Sequence, residues 1–161
     1  MQHKEFRLTY EEYASDAELA PGDRDLLAKA REVTAHAYAP YSRFRVGAAA
    51  RLATGEVITG TNQENASFPV GICAERVLLS AAASLYPGTP IREIAVSYFN
   101  EQGPAGRPIF PCGICRQSLQ EFETRTQQPI RLILGGQSGP VYVIPESGSL
   151  LPLAFAAGDL A

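Results

Sequence analysis

The sequence has few cysteines, no long apolar run and no excess of positive charge. Three cysteines occur in 161 residues, and an odd number cannot close into a complete set of disulfides. No apolar run approaches the roughly 20 residues that span a bilayer, and residues 1–10 mix charged with isolated apolar side chains. We therefore expect a cytoplasmic protein without a membrane span or signal peptide, in which the cysteines act as free thiols or metal ligands.

The charge balance argues against a protein that binds nucleic acid. Lysine and arginine number 14 against 17 aspartates and glutamates, a net charge of −3, whereas neutralising a phosphate backbone requires basic surface. Hydrophobic residues at 45% and charged residues at 19% are ordinary values for a folded domain. The length suits one domain, so we expect an N-terminal arm over residues 1–20 and a single domain over residues 21–161.

The hydrophobic pattern predicts alternating strands and helices, which indicates an α/β fold. Residues 5–10 alternate in polarity and predict a short edge strand or an ordered arm. The predicted helices cover residues 21–38, 73–85 and 113–122, and the predicted strands cover residues 45–52, 57–62, 91–98, 130–134 and 141–144. Only residues 135–140 separate the last two strands, which is too short for a parallel crossover, so this pair is predicted to be antiparallel.

All the cysteines lie at the predicted starts of two helices. Cys73 precedes one helix, and Cys112 and Cys115 form a CxxC motif at the start of another. A helix N-terminus favours the thiolate form that binds metal, and this spacing lets the sulfurs share one ion. Three ligands leave one tetrahedral position open, as in a catalytic zinc site. Glu75 follows the first ligand by two positions, close enough to exchange protons with water at that position.

The chain resembles the homotetrameric, all-cysteine branch of the cytidine deaminases. The resemblance extends from about residue 39 to residue 155 and rests on several motifs in the family's order. These motifs are APYSRF at 39–44, VGA at 46–48, GTNQENAS at 60–67, CAER at 73–76, PCGICRQ at 111–117 and LLPLAF at 150–155. Two positions depart from the usual family pattern: Phe68 replaces a common Tyr, and Phe110 replaces a small Ser or Thr.

The resemblance implies a role for particular residues. It places Zn²⁺ on the three cysteines and makes Glu75 the proton shuttle. It implies that Arg76 donates to the thiolates and offsets their negative charge. The implied substrate-binding residues are Phe44, which lines the pocket, Asn62 and Glu64 at the ribose hydroxyls, Ala74 through its backbone N–H, and Phe155 from a neighbouring subunit. Arg116 receives no role.

The fold and activity follow as expectations from the same resemblance. The expected fold is a three-layer α/β/α sandwich around a five-stranded mixed sheet, assembled as a homotetramer with shared active sites. The expected reaction is hydrolytic deamination of cytidine and 2′-deoxycytidine to the uridines and ammonia, in pyrimidine salvage. The expected partner is a small nucleoside, with neither nucleic acid nor membrane involved.

Other interpretations of these residues stay open at this point. The cysteines suit a buried apolar role or a structural zinc, and Glu75 suits a charge at a helix N-terminus. Asn62 and Glu64 are typical of turns, while Phe44 and Phe155 are typical of cores and interfaces. The alternative functions are deamination of another cytosine-bearing molecule such as a nucleoside antibiotic, editing of a polynucleotide, and a non-catalytic zinc-binding module.

Overall fold

One mixed β-sheet organises the chain, and the computed structural model describes residues 1–160 of it. The six strands lie in the order β1-β6-β5-β4-β2-β3, with β4 and β5 parallel and every other neighbouring pair antiparallel. The strands are β1 (Glu11–Tyr13), β2 (Phe44–Leu52), β3 (Val57–Thr61), β4 (Ile91–Asn100), β5 (Arg131–Gly135) and β6 (Val141–Ile144).

Helices cover both faces of the sheet. α1 (Pro21–Val33) begins with proline at its first turn, where the missing N–H of proline costs no hydrogen bond. α1 packs on one face, and α2 (Ala74–Leu85) and α3 (Gly113–Thr126) pack on the other. The arrangement is therefore the expected α/β/α sandwich.

The alternation within β2 supplies both cores. Ala48 and Ala50 pack in the apolar cluster that contains Leu78 of α2, whereas Ala49 points to the cluster that contains Leu27 of α1. Because successive side chains of a strand point to opposite faces, one short strand of small residues supports helices on both sides. Small side chains on this central strand let the helices approach the sheet closely.

The predicted five-stranded sheet is wrong by one strand, and the additional strand lies at Glu11–Tyr13. It pairs with the free edge of β6, placing Glu12 opposite Tyr142. Residues 5–10, the predicted location of a strand or arm, form no strand and are exposed. The predicted helix over residues 21–38 ends at Val33 and continues as a short 3-10 turn. The antiparallel pairing of the last two strands is confirmed.

None of the helices within residues 1–160 combines the length and the apolar character that crossing a bilayer requires.

Candidate metal centre and active site

Two helix N-termini bring the cysteine sulfurs together. Cys73 is the N-cap residue of α2 and Cys112 is the N-cap residue of α3, and neither side chain makes a capping hydrogen bond. Cys115 lies in the first turn of α3 and is fully buried. The Sγ atoms of Cys73 and Cys112 are 3.8 Å apart, those of Cys112 and Cys115 are 3.5 Å apart, and all three lie within 4.8 Å of one another.

This sulfur geometry fits zinc. A Zn–S bond of about 2.3 Å in tetrahedral geometry separates two sulfur ligands by about 3.8 Å, which is close to the spacings found here. Within residues 1–160 the cluster offers three ligands, so the fourth tetrahedral position stays open. Both helix N-termini direct their positive ends at the sulfurs and stabilise thiolate ligands. The prediction that these cysteines form one metal-binding cluster is supported by this arrangement.

Contacts within the cysteine cluster shift the pKa values of Cys73 and Cys115 in opposite directions. The neighbouring thiol of Cys115 is the main cause that lowers the pKa of Cys73 to about 6. The same contact, together with burial, raises the pKa of Cys115 above its ordinary range. Ionisation is therefore favoured at Cys73 and disfavoured at Cys115.

Glu75 lies beside this cluster in the first turn of α2. Its side chain is buried, with 6% relative exposure, and burial raises the pKa of its carboxyl group. A carboxyl group with a raised pKa accepts and returns protons more readily near neutral pH than an exposed one. The structure places Glu75 next to the cysteines, as the sequence predicted.

A cavity of about 310 Å³ opens onto Glu75 and the cysteine cluster. Its lining includes Cys73, Cys112 and Glu75, together with Asn62 and Glu64. The remaining lining residues are Val46, Gln63, Phe68, Gly71, Ile72, Ala74, Ile109 and Phe110, so none of the lysines and arginines within residues 1–160 lines this cavity.

The amide of Asn62 is engaged by the backbone at the start of β2. Its Oδ1 accepts a hydrogen bond of 2.7 Å from the N–H of Val46, and its Nδ2 donates one of 2.9 Å to the carbonyl of Phe44. These bonds fix the orientation of the amide at the cavity wall. No local sequence pattern indicates that the Asn62 side chain has this structural role as well as its predicted role at a ribose.

Glu64 is held by the loop that precedes β2. Its Oε2 accepts hydrogen bonds from the N–H groups of Tyr41 at 2.9 Å and Ser42 at 3.3 Å. Partial burial opposes ionisation, but the Ser42 hydroxyl and the two N–H groups outweigh it and lower the pKa of Glu64. Glu64 therefore presents a fixed, ionised carboxylate that can accept hydrogen bonds from hydroxyl groups.

The structure does not bring both predicted aromatic residues into the cavity. The ring of Phe44 stacks on Tyr98 with centroids 4.8 Å apart, and Phe44 is absent from the cavity lining given by the described residues. Phe155 is 57% exposed and lines a separate groove beside α2 and α3. Its carbonyl accepts a hydrogen bond of 2.9 Å from Nε2 of Gln117. Phe155 thus stands outside the cavity of its own chain.

Two arginines follow the metal-binding motifs and differ in their contacts. The charge of Arg76 contributes to lowering the pKa of Cys73, yet no hydrogen bond joins Arg76 to a cysteine sulfur in the described part of the chain. Arg116, without a role at the sequence level, donates from Nε to the carbonyl of Pro111 at 2.8 Å and from Nη1 to that of Leu150 at 3.1 Å. Arg116 therefore fixes the loop that carries Cys112. Its place directly after Cys115 is the only sequence signal for this role.

Comparisons with known proteins agree with this site. The family model of the cytidine and deoxycytidylate deaminase zinc-binding region matches residues 21–128. A cytidine deaminase of Halalkalibacterium halodurans is 39% identical over 139 residues, covering 86% of this chain and 98% of the relative. A cytidine deaminase of Mycobacterium tuberculosis is 37% identical, covering 84% and 90%.

The fold agrees with a solved structure as well. The crystal structure of cytidine deaminase from Burkholderia pseudomallei matches with a TM-score of 0.71 and 37% identity, covering 85% of this chain and 100% of that one. Sequence, fold and the three-cysteine cluster point the same way. The chain belongs to the cytidine and deoxycytidylate deaminase family of zinc-dependent enzymes.

Proposed function

We propose that this protein hydrolytically deaminates cytidine and 2′-deoxycytidine to uridine and 2′-deoxyuridine, releasing ammonia, in pyrimidine salvage. The observation that carries the proposal is one cavity in which the cysteine cluster and buried Glu75 lie together with Asn62 and Glu64. The relatives named above carry the same activity in their names.

Each residue of the cavity has a chemical task in the proposed reaction. Cys73, Cys112 and Cys115 would hold Zn²⁺, which would act as a Lewis acid and lower the pKa of the attacking water. Glu75 takes a proton from the attacking water while the oxygen of that water bonds to C4 of the base. Glu75 then delivers this proton to N3.

Glu75 then completes the release of the amine. It carries the second proton of the water to the exocyclic amine, and the bond between C4 and that nitrogen breaks. Ammonia leaves, and a carbonyl group remains at C4 of the base. Burial of Glu75 supports this double role, because a raised pKa favours both uptake and return of a proton.

The rest of the cavity is assigned to binding. Glu64 accepts hydrogen bonds from the ribose hydroxyls and Asn62 lies beside it, while the N–H of Ala74 at the start of α2 donates to the base carbonyl. The absence of lysine and arginine from the lining, together with two carboxylates, disfavours a 5′-phosphate. This charge distribution supports a free nucleoside as the substrate over a nucleotide.

Assembly and location belong to the same proposal. We assign residues 21–161 to the catalytic domain, residues 1–20 to an arm, and a homotetramer to the active state. Phe155 is exposed beside α2 and α3, which supports a role in the site of a neighbouring subunit. A cluster of three free thiols requires a reducing compartment, which supports a cytoplasmic location.

The test is a substrate panel on wild-type protein and the Glu75→Gln variant. The panel contains cytidine, deoxycytidine, dCMP, adenosine and a cytosine-bearing nucleoside antibiotic, and ammonia release and bound zinc are measured for each protein. We expect wild type to prefer the free cytosine nucleosides, and Glu75→Gln to keep its zinc while turnover falls by about 10²- to 10⁴-fold.

Glu56→Gln, on an exposed turn, is the matched control and should retain wild-type turnover. Near-full activity of Glu75→Gln, or wild-type silence across the panel, would overturn the proposal. Preferred turnover of the antibiotic would replace cytidine as the substrate.

A further inference from the structure

Three aromatic rings connect the N-terminal arm to the cavity. The ring centroids of Tyr10 and Tyr142 are 4.9 Å apart, and those of Tyr142 and Phe110 are 5.9 Å apart. Both distances lie in the range of favourable aromatic pairs. Phe110 lines the cavity beside Glu75 and Cys112.

The register of the sheet explains why Tyr10 reaches this point. Glu12 of β1 lies opposite Tyr142 of β6, and Tyr10 lies two positions before Glu12 on the same face. Tyr10 is thus the diagonal neighbour of Tyr142, a position from which aromatic side chains touch across an antiparallel pair. The strand of the arm therefore fixes the first ring against the second.

Phe110 needs such support. It lies in the segment between β4 and α3, where residues 101–112 form neither strand nor helix, and it is 46% exposed. A ring on a loop loses rotamer freedom when a ligand binds against it, and this loss weakens binding. Packing against Tyr142, which stands on a strand, restricts the ring of Phe110 before the ligand arrives.

We propose that Tyr10 and Tyr142 are positioning residues that hold Phe110 as an apolar wall of the nucleoside cavity. The inference rests on the proposed function, because the nucleoside is the ligand that the wall contacts. Tyr10 and Tyr142 both lie outside the matched family region of residues 21–128, whereas Phe110 lies inside it. None of the three rings carries the proton transfer assigned to Glu75, so the support acts on KM and leaves kcat unchanged.

The first experiment compares Tyr10→Ala with wild type on cytidine. We expect KM to rise roughly two- to tenfold, the range for loss of one aromatic pair, while kcat and zinc content stay unchanged. Tyr10→Phe keeps the ring and should restore the wild-type KM. Phe6→Ala is the matched control, since Phe6 is an arm aromatic with 64% exposure and no ring partner within residues 1–160.

The second experiment asks whether the effect passes through Phe110. In a Phe110→Ser background, adding Tyr10→Ala should leave KM unchanged, because the ring that Tyr10 supports is gone. An unchanged KM in Tyr10→Ala alone, or the same rise in both backgrounds, would overturn the inference. Failure of the proposed function is a separate result, seen when zinc-loaded wild type turns over no nucleoside at all.

Discussion

At the residue scale, two cysteines of the cluster that could hold a metal occupy helix positions where other residue types are usual. Cys73 and Cys112 have the extended backbone conformation of an N-cap, where Ser, Thr, Asp and Asn are preferred because their oxygen atoms accept from the first N–H groups. Neither sulfur makes that bond. The helices therefore give up side-chain caps, and the sulfurs stay available for the metal.

Because Cys73 makes no side-chain cap, we predict that Cys73→Ser changes the stability of the protein in opposite directions with and without zinc. Serine restores a capping oxygen, so the metal-free variant should be more stable than metal-free wild type by about 0.5–1 kcal/mol. With zinc present the order reverses, because the variant loses one thiolate ligand. Thermal unfolding with and without a chelator, together with measurement of bound zinc, checks both statements.

Cys115→Ser is the contrasting variant, because Cys115 lies inside the first turn and is fully buried. It should lose zinc without gaining stability in the metal-free state. Equal responses of Cys73→Ser and Cys115→Ser to the chelator would contradict the capping argument.

At the scale of elements, hydrophobic periodicity predicted the central strands and the three helices within a few residues. These segments carry their own signal, since small apolar residues alternate in β2 and α2 is rich in alanine and leucine. The strand at Glu11–Tyr13 has no such signal, because it contains only three residues and most of them are exposed. Its existence depends on the free edge of β6, which local sequence does not reveal.

Two glycines set the distance between the sheet and its helices. A Cβ atom at Gly60 would lie 2.5 Å from the carbonyl oxygen of Ala74 and 2.6 Å from the backbone N of Leu78, both in α2. A Cβ atom at Gly47 would collide with the carbonyl oxygen of Ala30 in α1, on the opposite face. Backbone atoms cannot step aside, so each helix depends on its glycine for its position.

We therefore predict that Gly60→Ala impairs the active site as well as the fold. The clash moves the start of α2, which carries Cys73 and Glu75, so zinc affinity and kcat should both fall, together with a loss of stability of about 1–3 kcal/mol. Gly47→Ala is the matched control: it should cost similar stability, while the folded protein keeps its zinc and its kcat. Assays at a temperature where both variants are folded separate the effects, and equal losses of activity would refute the prediction.

At the scale of the whole molecule, sequence predicted part of the site and missed the rest for a physical reason. The cysteines and Glu75 are contained in two short motifs at helix starts, so local spacing was enough to recognise each motif, and the resemblance to the family joined the two. The anchoring of Asn62 by the backbone of β2, and the bond of Arg116 to Leu150, join residues that are 16 to 34 positions apart in sequence. Such contacts exist only after the chain has folded.

Phe155 lies outside the cavity of its own chain and is exposed. Its predicted role at the substrate therefore depends on contact between two chains. If the proposed tetramer shares its sites, each site takes Glu75 from one subunit and Phe155 from another. Glu75→Gln and Phe155→Ala should then each be impaired alone but complement each other when mixed. After random subunit exchange about a quarter of the sites would contain both native residues, so cytidine turnover should rise well above the mean of the two separate variants.

The control for this experiment is a mixture of Glu75→Gln with Cys73→Ser. Glu75 and Cys73 belong to the cavity of one chain. Every subunit in this mixture lacks one of the two, so subunit exchange cannot create a cavity that contains both the complete cysteine cluster and a native Glu75. This mixture should stay inactive under conditions in which size measurements show hybrid oligomers. If the Glu75→Gln and Phe155→Ala mixture also shows only the mean of its components, Phe155 does not act across a subunit boundary, and the site is complete within one chain.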